Sequence, residues 1–184
     1  MKKKIRKVTL ELVQGNIAAQ PDLDAVVNAA NAALQTGGGV AGALHRVAGP
    51  GLAAEARPMA PIQPGEAVLT GAHDLPNRYV IHCLGPVYGR DEPSAELLAA
   101  CYREALRLAE AHGIASVGFP ALSTGAFGYP LEPAAEVALR TVLGAMADLE
   151  AVRRIRFVLY SQRALSVHER VLERLLAEEA GKEA

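Results

Sequence analysis

The chain has 184 residues, 51 % of them hydrophobic and 21 % charged, a size and balance that fit one folded domain and exclude a disordered polyelectrolyte. Lys and Arg number 19 against 20 Asp and Glu, so no overall positive field exists to hold nucleic acid by counterion release. Met1-Lys2-Lys3-Lys4 is basic, but no apolar run of signal-peptide or membrane-spanning length follows it, so a cytoplasmic protein without a membrane partner is expected.

In chain order, Val8, Leu10 and Leu12 alternate with Lys7, Thr9 and Glu11, the period of a half-buried strand. Asp24 to Ala29 is a more buried run. After the glycines at 37 to 39, Val40 to Val47 reads as a helix closed by Gly49 and Pro50. Strands near Ala67 to Thr70 and Tyr79 to Leu84 flank a turn-rich piece around Pro76-Asn77. From Ser94 to His112, Leu97, Cys101, Ala105 and Leu108 share one helical face, with Ser94 as N-cap and Gly113 past the end. Ile114 to Pro120 reads as a buried strand, Leu131 to Met146 as a helix and Ile155 to Tyr160 as a strand. Val167, Val171 and Leu175 mark a last helix, followed by a polar tail from about residue 177. Strands alternating with helices make an α/β fold with a mainly parallel sheet covered on both faces, and residues 1–184 read as a single domain.

Cys83 and Cys101 lie in apolar stretches with no short-spaced partner, and both read as core. His45 sits mid-helix beside Arg46, where packing or surface roles outweigh a catalytic one. His73, His82, His112 and His168 lack ligand spacing, so neither a metal nor a cofactor is inferred.

In a parallel sheet, ligands bind beyond the carboxyl ends of the strands. Three loops there carry chemistry: Asn28-Ala29-Ala30-Asn31 leading into Thr36-Gly37-Gly38-Gly39-Val40, the run Ser123-Thr124-Gly125-Ala126-Phe127-Gly128-Tyr129, and Tyr160-Ser161. Gly37, Gly39 and Gly42 fit G-x-G-x-x-G, but eight residues separate them from the preceding strand and no strand-ending acid follows about 20 residues on, which argues against a dinucleotide-binding Rossmann turn. The alternative is that glycines let the backbone approach a phosphate while a helix start near Val40 directs its free N–H groups at the charge. The second loop offers hydroxyls beside two glycines and a helix after Pro130. Two amide-rich loops facing each other suit a diphosphate, and neither contains Lys or Arg. Unliganded tight turns are the competing reading of each loop alone.

The ordered set Asn28-Ala29-Ala30-Asn31, Gly37-Gly38-Gly39-Val40, His45-Arg46, Ile81-His82, Gly85-Pro86 and Phe119-Pro120-Ala121-Leu122-Ser123-Thr124-Gly125 resembles the macro domain family from about Leu10 to the last helix. The resemblance implies a three-layer α/β/α sandwich with a mixed, mainly parallel central sheet, and a cleft for ADP-ribose. Asn16, followed by Ile17, stands where the family usually has an aspartate that accepts from the adenine amino group. Gly38, Gly39 and Val40, with Ser123, Thr124, Gly125, Ala126 and Phe127, would wrap the diphosphate. Asn28 and Asn31 would lie by the distal ribose, Phe127 would pack on that sugar, and Tyr160 would stack on adenine.

Two departures follow. Asn16 keeps an acceptor oxygen without the charge, lowering that contact by about 1 kcal/mol. Ala41 replaces the aspartate typical of members that remove ADP-ribose from proteins, and a methyl group can neither orient nor deprotonate water. The resemblance implies either a hydrolase of small derivatives such as O-acetyl-ADP-ribose or ADP-ribose-1''-phosphate, or of ADP-ribosylated protein, with Asn31 and a held water in the catalytic role, or a non-enzymatic ADP-ribose reader. The same loops serve both. A single-stranded RNA-binding module ranks last, because aromatics are only 4 % of the chain.

Overall fold

The computed structural model describes residues 1–182. Its centre is a seven-stranded sheet: β1 (Lys2–Ile5), β2 (Val8–Gln14), β3 (Ala25–Ala29), β4 (Ala67–Gly71), β5 (Tyr79–Cys83), β6 (Ser116–Phe119) and β7 (Arg154–Leu159), in the order β1-β2-β7-β6-β3-β5-β4. The five inner strands run parallel, while β1 pairs with β2 and β4 with β5 antiparallel. The helices are α1 (Gly39–Ala48), α2 (Pro50–Ala56), α3 (Ser94–Ala111), α4 (Leu131–Ala145) and α5 (Gln162–Lys182).

Alternation along the strands sorts the helices into two layers. Ala25 and Val27 of β3, Ile81 and Cys83 of β5, and Phe157 and Leu159 of β7 join the large core beneath α3, α4 and α5. Val26, Val80 and Val158, the residues between them, face the opposite way and join Leu44, Ala48 and Leu52 of α1 and α2. One sheet thus buries both faces, which is why the central strands β3, β5 and β6 carry apolar residues on both sides rather than alternating as β2 does. Three helices on one side and two on the other make the three-layer α/β/α sandwich with a mixed sheet.

Four local readings change. The Lys-rich start forms edge strand β1, whose lysines are all exposed, so no apolar period announces it. Gly49 closes α1 as expected, but the chain restarts there at once as α2, with Pro50 at its first position, where the missing N–H costs nothing. In α3 the N-cap is Pro93, not Ser94, and the buried stripe is Leu98, Cys101, Tyr102, Ala105, Leu106 and Ala109; Leu97 and Leu108 lie at its edge. The polar stretch after Leu176 is no tail among the described residues. It continues α5 to Lys182, and its polarity is that of a solvated face pairing with α4 through Arg140–Glu178 at 2.8 Å and Arg174–Glu136 at 3.0 Å.

Candidate functional site

Because β2, β7, β6, β3 and β5 are parallel neighbours, their carboxyl ends emerge in a row along one edge of the sheet. Four strand spacings span about 19 Å. The loops along that row are, in order, Asn16-Ile17 after β2, Tyr160 after β7, Ser123 to Tyr129 after β6, Ala30 to Gly38 after β3, and Gly85 to Asp91 after β5. The site is therefore elongated, with different chemistry at each end.

At the β2–β7 end, Tyr160 is 91 % exposed, which leaves an aromatic face free for a partner. Asn16 is exposed beside it, and its Oδ1 already accepts the Ala18 N–H at 2.9 Å, so the carboxamide is fixed by its own loop. Ile17 turns inward and packs with Val26 and Leu44, so its side chain is core rather than lining.

The middle of the row is backbone. Gly38 is the N-cap of α1 in extended conformation and Gly39 has φ +55°, and neither terminus of α1 nor the start of α4 at Pro130 is capped by a side chain. A Cβ placed on Gly38, Gly39 or Gly125 would meet no protein atom within 4 Å. These glycines border open space, and Val40 packs downward onto the α1-side core. In the second loop the Thr124 hydroxyl donates to Ala121 O at 2.7 Å and is spent on the turn. Ser123 adopts φ +65°, and its buried Oγ has no hydrogen-bond partner and lies where a Cβ on Gly85 would sit. Gly85 is thus required by the close approach of the two loops. Ala126 is exposed, and Phe127 is half-buried against the cluster of Ala30, Leu34 and Leu84.

At the β3–β5 end, Asn31 both accepts the Gln35 N–H at 3.1 Å and donates to Gln35 O at 2.9 Å, so its amide organises the loop that delivers the glycines. It lines a cavity of about 310 Å³ together with Phe127, Leu84, Gln63, Arg90 and Asp91. Asn28 is only 1 % exposed. Parallel pairing sets it beside His82, and its Nδ2 donates to His82 Nδ1 at 3.1 Å. That fixes the other ring nitrogen as the donor, Nε2–H to Thr70 Oγ1 at 2.9 Å, and the Thr70 hydroxyl in turn donates to Gly71 O at 2.9 Å. Burial, with His45 nearby, lowers the His82 pKa to about 4, so the chain is held by a neutral imidazole. Asn28 therefore supports the site from beneath.

The sequence-derived residues come together except Ile17 and Asn28, which lie under the surface. Ala41 is also buried, at the third position of α1, and His45 lies one turn on with neither ring nitrogen bonded. Sequence reading missed His82, Gly85, Tyr88 and the cavity wall at Gln63, Arg90 and Asp91. Only the motif Ile81-His82 with Gly85-Pro86 gave a signal for two of them. Among the described residues, no three His, Cys, Asp or Glu side chains cluster as a metal site would require.

Comparison with known proteins gives consistent matches. The family model described as Macro domain matches residues 27–138. An O-acetyl-ADP-ribose deacetylase of Klebsiella pneumoniae is 43 % identical over 167 residues, covering 88 % of this chain and 95 % of the relative. The structure of the Oceanobacillus iheyensis macrodomain with ADP superposes with a TM-score of 0.92 at 38 % identity, covering 97 % of each chain. The Trypanosoma brucei macrodomain in complex with ADP-ribose superposes at 0.82 and 40 % identity, covering 88 % of this chain and 68 % of that one.

Proposed function

This chain belongs to the macro domain family, and from that premise we propose that its cleft binds ADP-ribose and hydrolyses small ADP-ribose derivatives, O-acetyl-ADP-ribose first among them. The observation that carries the reading is the row of loops: an exposed aromatic at one end, side-chain-free backbone in the middle and a cavity at the other, in the order base, diphosphate, distal sugar. Tyr160 stacks on adenine while Asn16 stands at its edge. Gly38, Gly39 and Val40, with Ser123 to Phe127, supply N–H groups to the diphosphate, and the uncapped start of α1 adds its dipole. A diphosphate can be held without a cation because successive backbone N–H groups form an anion-binding concavity.

For the ester, water adds to the acetyl carbonyl, the ribose oxygen leaves with a proton, and acetate and ADP-ribose result. Asn31 cannot take a proton, so its part is to orient water and sugar, and the substrate's own diphosphate is the nearest base. Protein-linked ADP-ribose is accordingly the slower substrate, for want of a carboxylate at Ala41.

Calorimetry should give a dissociation constant for ADP-ribose near micromolar, about −8 kcal/mol, with weaker binding of AMP. Chromatography of reactions with O-acetyl-ADP-ribose should show ADP-ribose forming in proportion to enzyme. Folded protein that gives no heat with ADP-ribose would overturn the reading. Binding without turnover would leave a reader of ADP-ribose rather than a hydrolase.

A further inference from the structure

The ends of β2 and β7 are tied together, Gly15 N–H donating to Leu159 O at 2.9 Å and Gln14 Nε2 to Tyr160 O at 3.5 Å, so Asn16 stands at the edge of any base stacked on Tyr160. We propose, resting on the ADP-ribose reading, that Asn16 does not select adenine, and that the cleft takes the 6-oxopurine ligand, the hypoxanthine analogue of ADP-ribose, as well as ADP-ribose itself.

A carboxamide tells adenine from other bases when both of its ends are free: the oxygen accepts from the 6-amino group while the nitrogen donates to N7. In Asn16 the oxygen is taken. Oδ1 accepts the Ala18 N–H at 2.9 Å, turned back into its own loop, and the main-chain oxygen accepts the Ala19 N–H at 3.0 Å and Gln20 Nε2 at 2.9 Å. Nδ2 has no partner among the described residues, and the residue is exposed. What the side chain offers a base is therefore a donor alone. N7 is an acceptor in adenine and hypoxanthine alike, and where adenine adds N1 a 6-oxopurine adds O6, so the donor finds an acceptor on either base. Stacking on Tyr160 does not discriminate, since every base has a π-face.

The loop is held in this arrangement from behind. Gln20 is buried, and its Oε1 accepts Arg156 Nη1 at 2.8 Å. The same guanidinium bonds the Asp22 carboxylate through both terminal nitrogens, at 2.9 and 2.7 Å, and donates to Glu11 through Nε. Asn16 is thus clamped at its main-chain oxygen by a side chain that β7 fixes in turn. Turning the carboxamide over would set Nδ2 against the Ala18 N–H, donor against donor, and leave that N–H without its bond.

The test titrates wild type, Asn16→Asp and Asn16→Ala calorimetrically with ADP-ribose and with its hypoxanthine analogue, which differ only in the edge of the base. Wild type should bind the two within about threefold of each other, less than one neutral hydrogen bond commonly contributes. Asn16→Asp keeps one oxygen for the Ala18 N–H and presents a second to the base, accepting from the 6-amino group and opposing O6, so it should favour ADP-ribose about tenfold, the scale of a charge-assisted bond. Asn16→Ala removes a contact that the two ligands share and should weaken both alike. A preference beyond threefold in wild type or Asn16→Ala, or an Asn16→Asp ratio no different from that of wild type, would overturn the base-edge inference while the ADP-ribose reading stands. If folded wild type binds neither ligand, the two fall together.

Discussion

Tyr160 illustrates how a residue can be legible in sequence yet gain its meaning only from exposure. At 91 % exposed it contributes almost nothing to the core, so Tyr160→Ala should leave the melting temperature unchanged and lower ADP-ribose affinity by about 1–3 kcal/mol, the cost of losing a base stacked on an aromatic face. Calorimetry beside a thermal melt checks both halves, and unchanged affinity would reduce Tyr160 to a strand end. Ala41 makes the complementary case. It occupies the first turn of α1, where the helix dipole favours a carboxylate, and His45 one turn on has two unbonded ring nitrogens that could hold it. Ala41→Asp should therefore raise ADP-ribose release from glutamate-modified protein at least tenfold, the lower side of the roughly 10²–10⁴-fold typical of general-base help. Ala41→Asn should not, and if it does the charge is irrelevant. What residue-level reading could not supply was partnership. Asn28 and His82 are 54 positions apart, and only the parallel register of β3 and β5 makes them neighbours. Asn31 was recognisable as a site residue, but not that both ends of its amide are engaged by Gln35.

Between elements, the tightest approach to a backbone atom at the site is where α1 meets its own glycine loop. A Cβ on Gly42 would lie 2.5 Å from Gly37 O, a backbone atom that cannot move without the loop moving. Gly42→Ala should accordingly cost about 1–3 kcal/mol of stability, as overpacking does, and weaken ADP-ribose binding as Gly37 to Gly39 shift. Gly39→Val separates the two effects. No protein atom lies within 4 Å of its Cβ, so the branched side chain meets only the φ +55° backbone and the space reserved for ligand. It should fold at a cost of about 1–2 kcal/mol and fail to bind, and normal binding would remove that loop from the diphosphate. Most elements were legible because burial on both faces of the sheet leaves long apolar runs. The exceptions have physical reasons. In β1 the lysines hide the period, in α2 a proline that starts a helix resembles one that stops it, and the outer half of α5 is polar because it faces solvent and α4's arginine and glutamates.

Taken whole, the molecule places three histidines, His45, His82 and His168, where burial lowers their pKa. For His82 the native value is about 4 against 6.5 for the free side chain. Between those values the unfolded chain binds a proton that the native protein excludes, so stability is full above pH 6.5 and falls as the pH drops toward 4. His82 alone accounts for about 2–3 kcal/mol by pH 4.5, and His45 and His168 act in the same direction. Asp22, held down to about 2 by its hydrogen bonds to Arg156, adds a separate loss only below its ordinary 3.8. Urea denaturation at pH 7.5 and 4.5 measures the difference, and equal stabilities would mean that the buried imidazoles accept protons without cost. The sheet has two open margins, and the lysines of β1 bear on one of them. A second molecule approaching edge to edge would set Lys2, Lys3 and Lys4 alongside their own copies, so the unpaired N–H and C=O groups of that margin are kept from templating a longer sheet. The run of charge that concealed the first strand from pattern reading is thus a safeguard against self-association in concentrated solution.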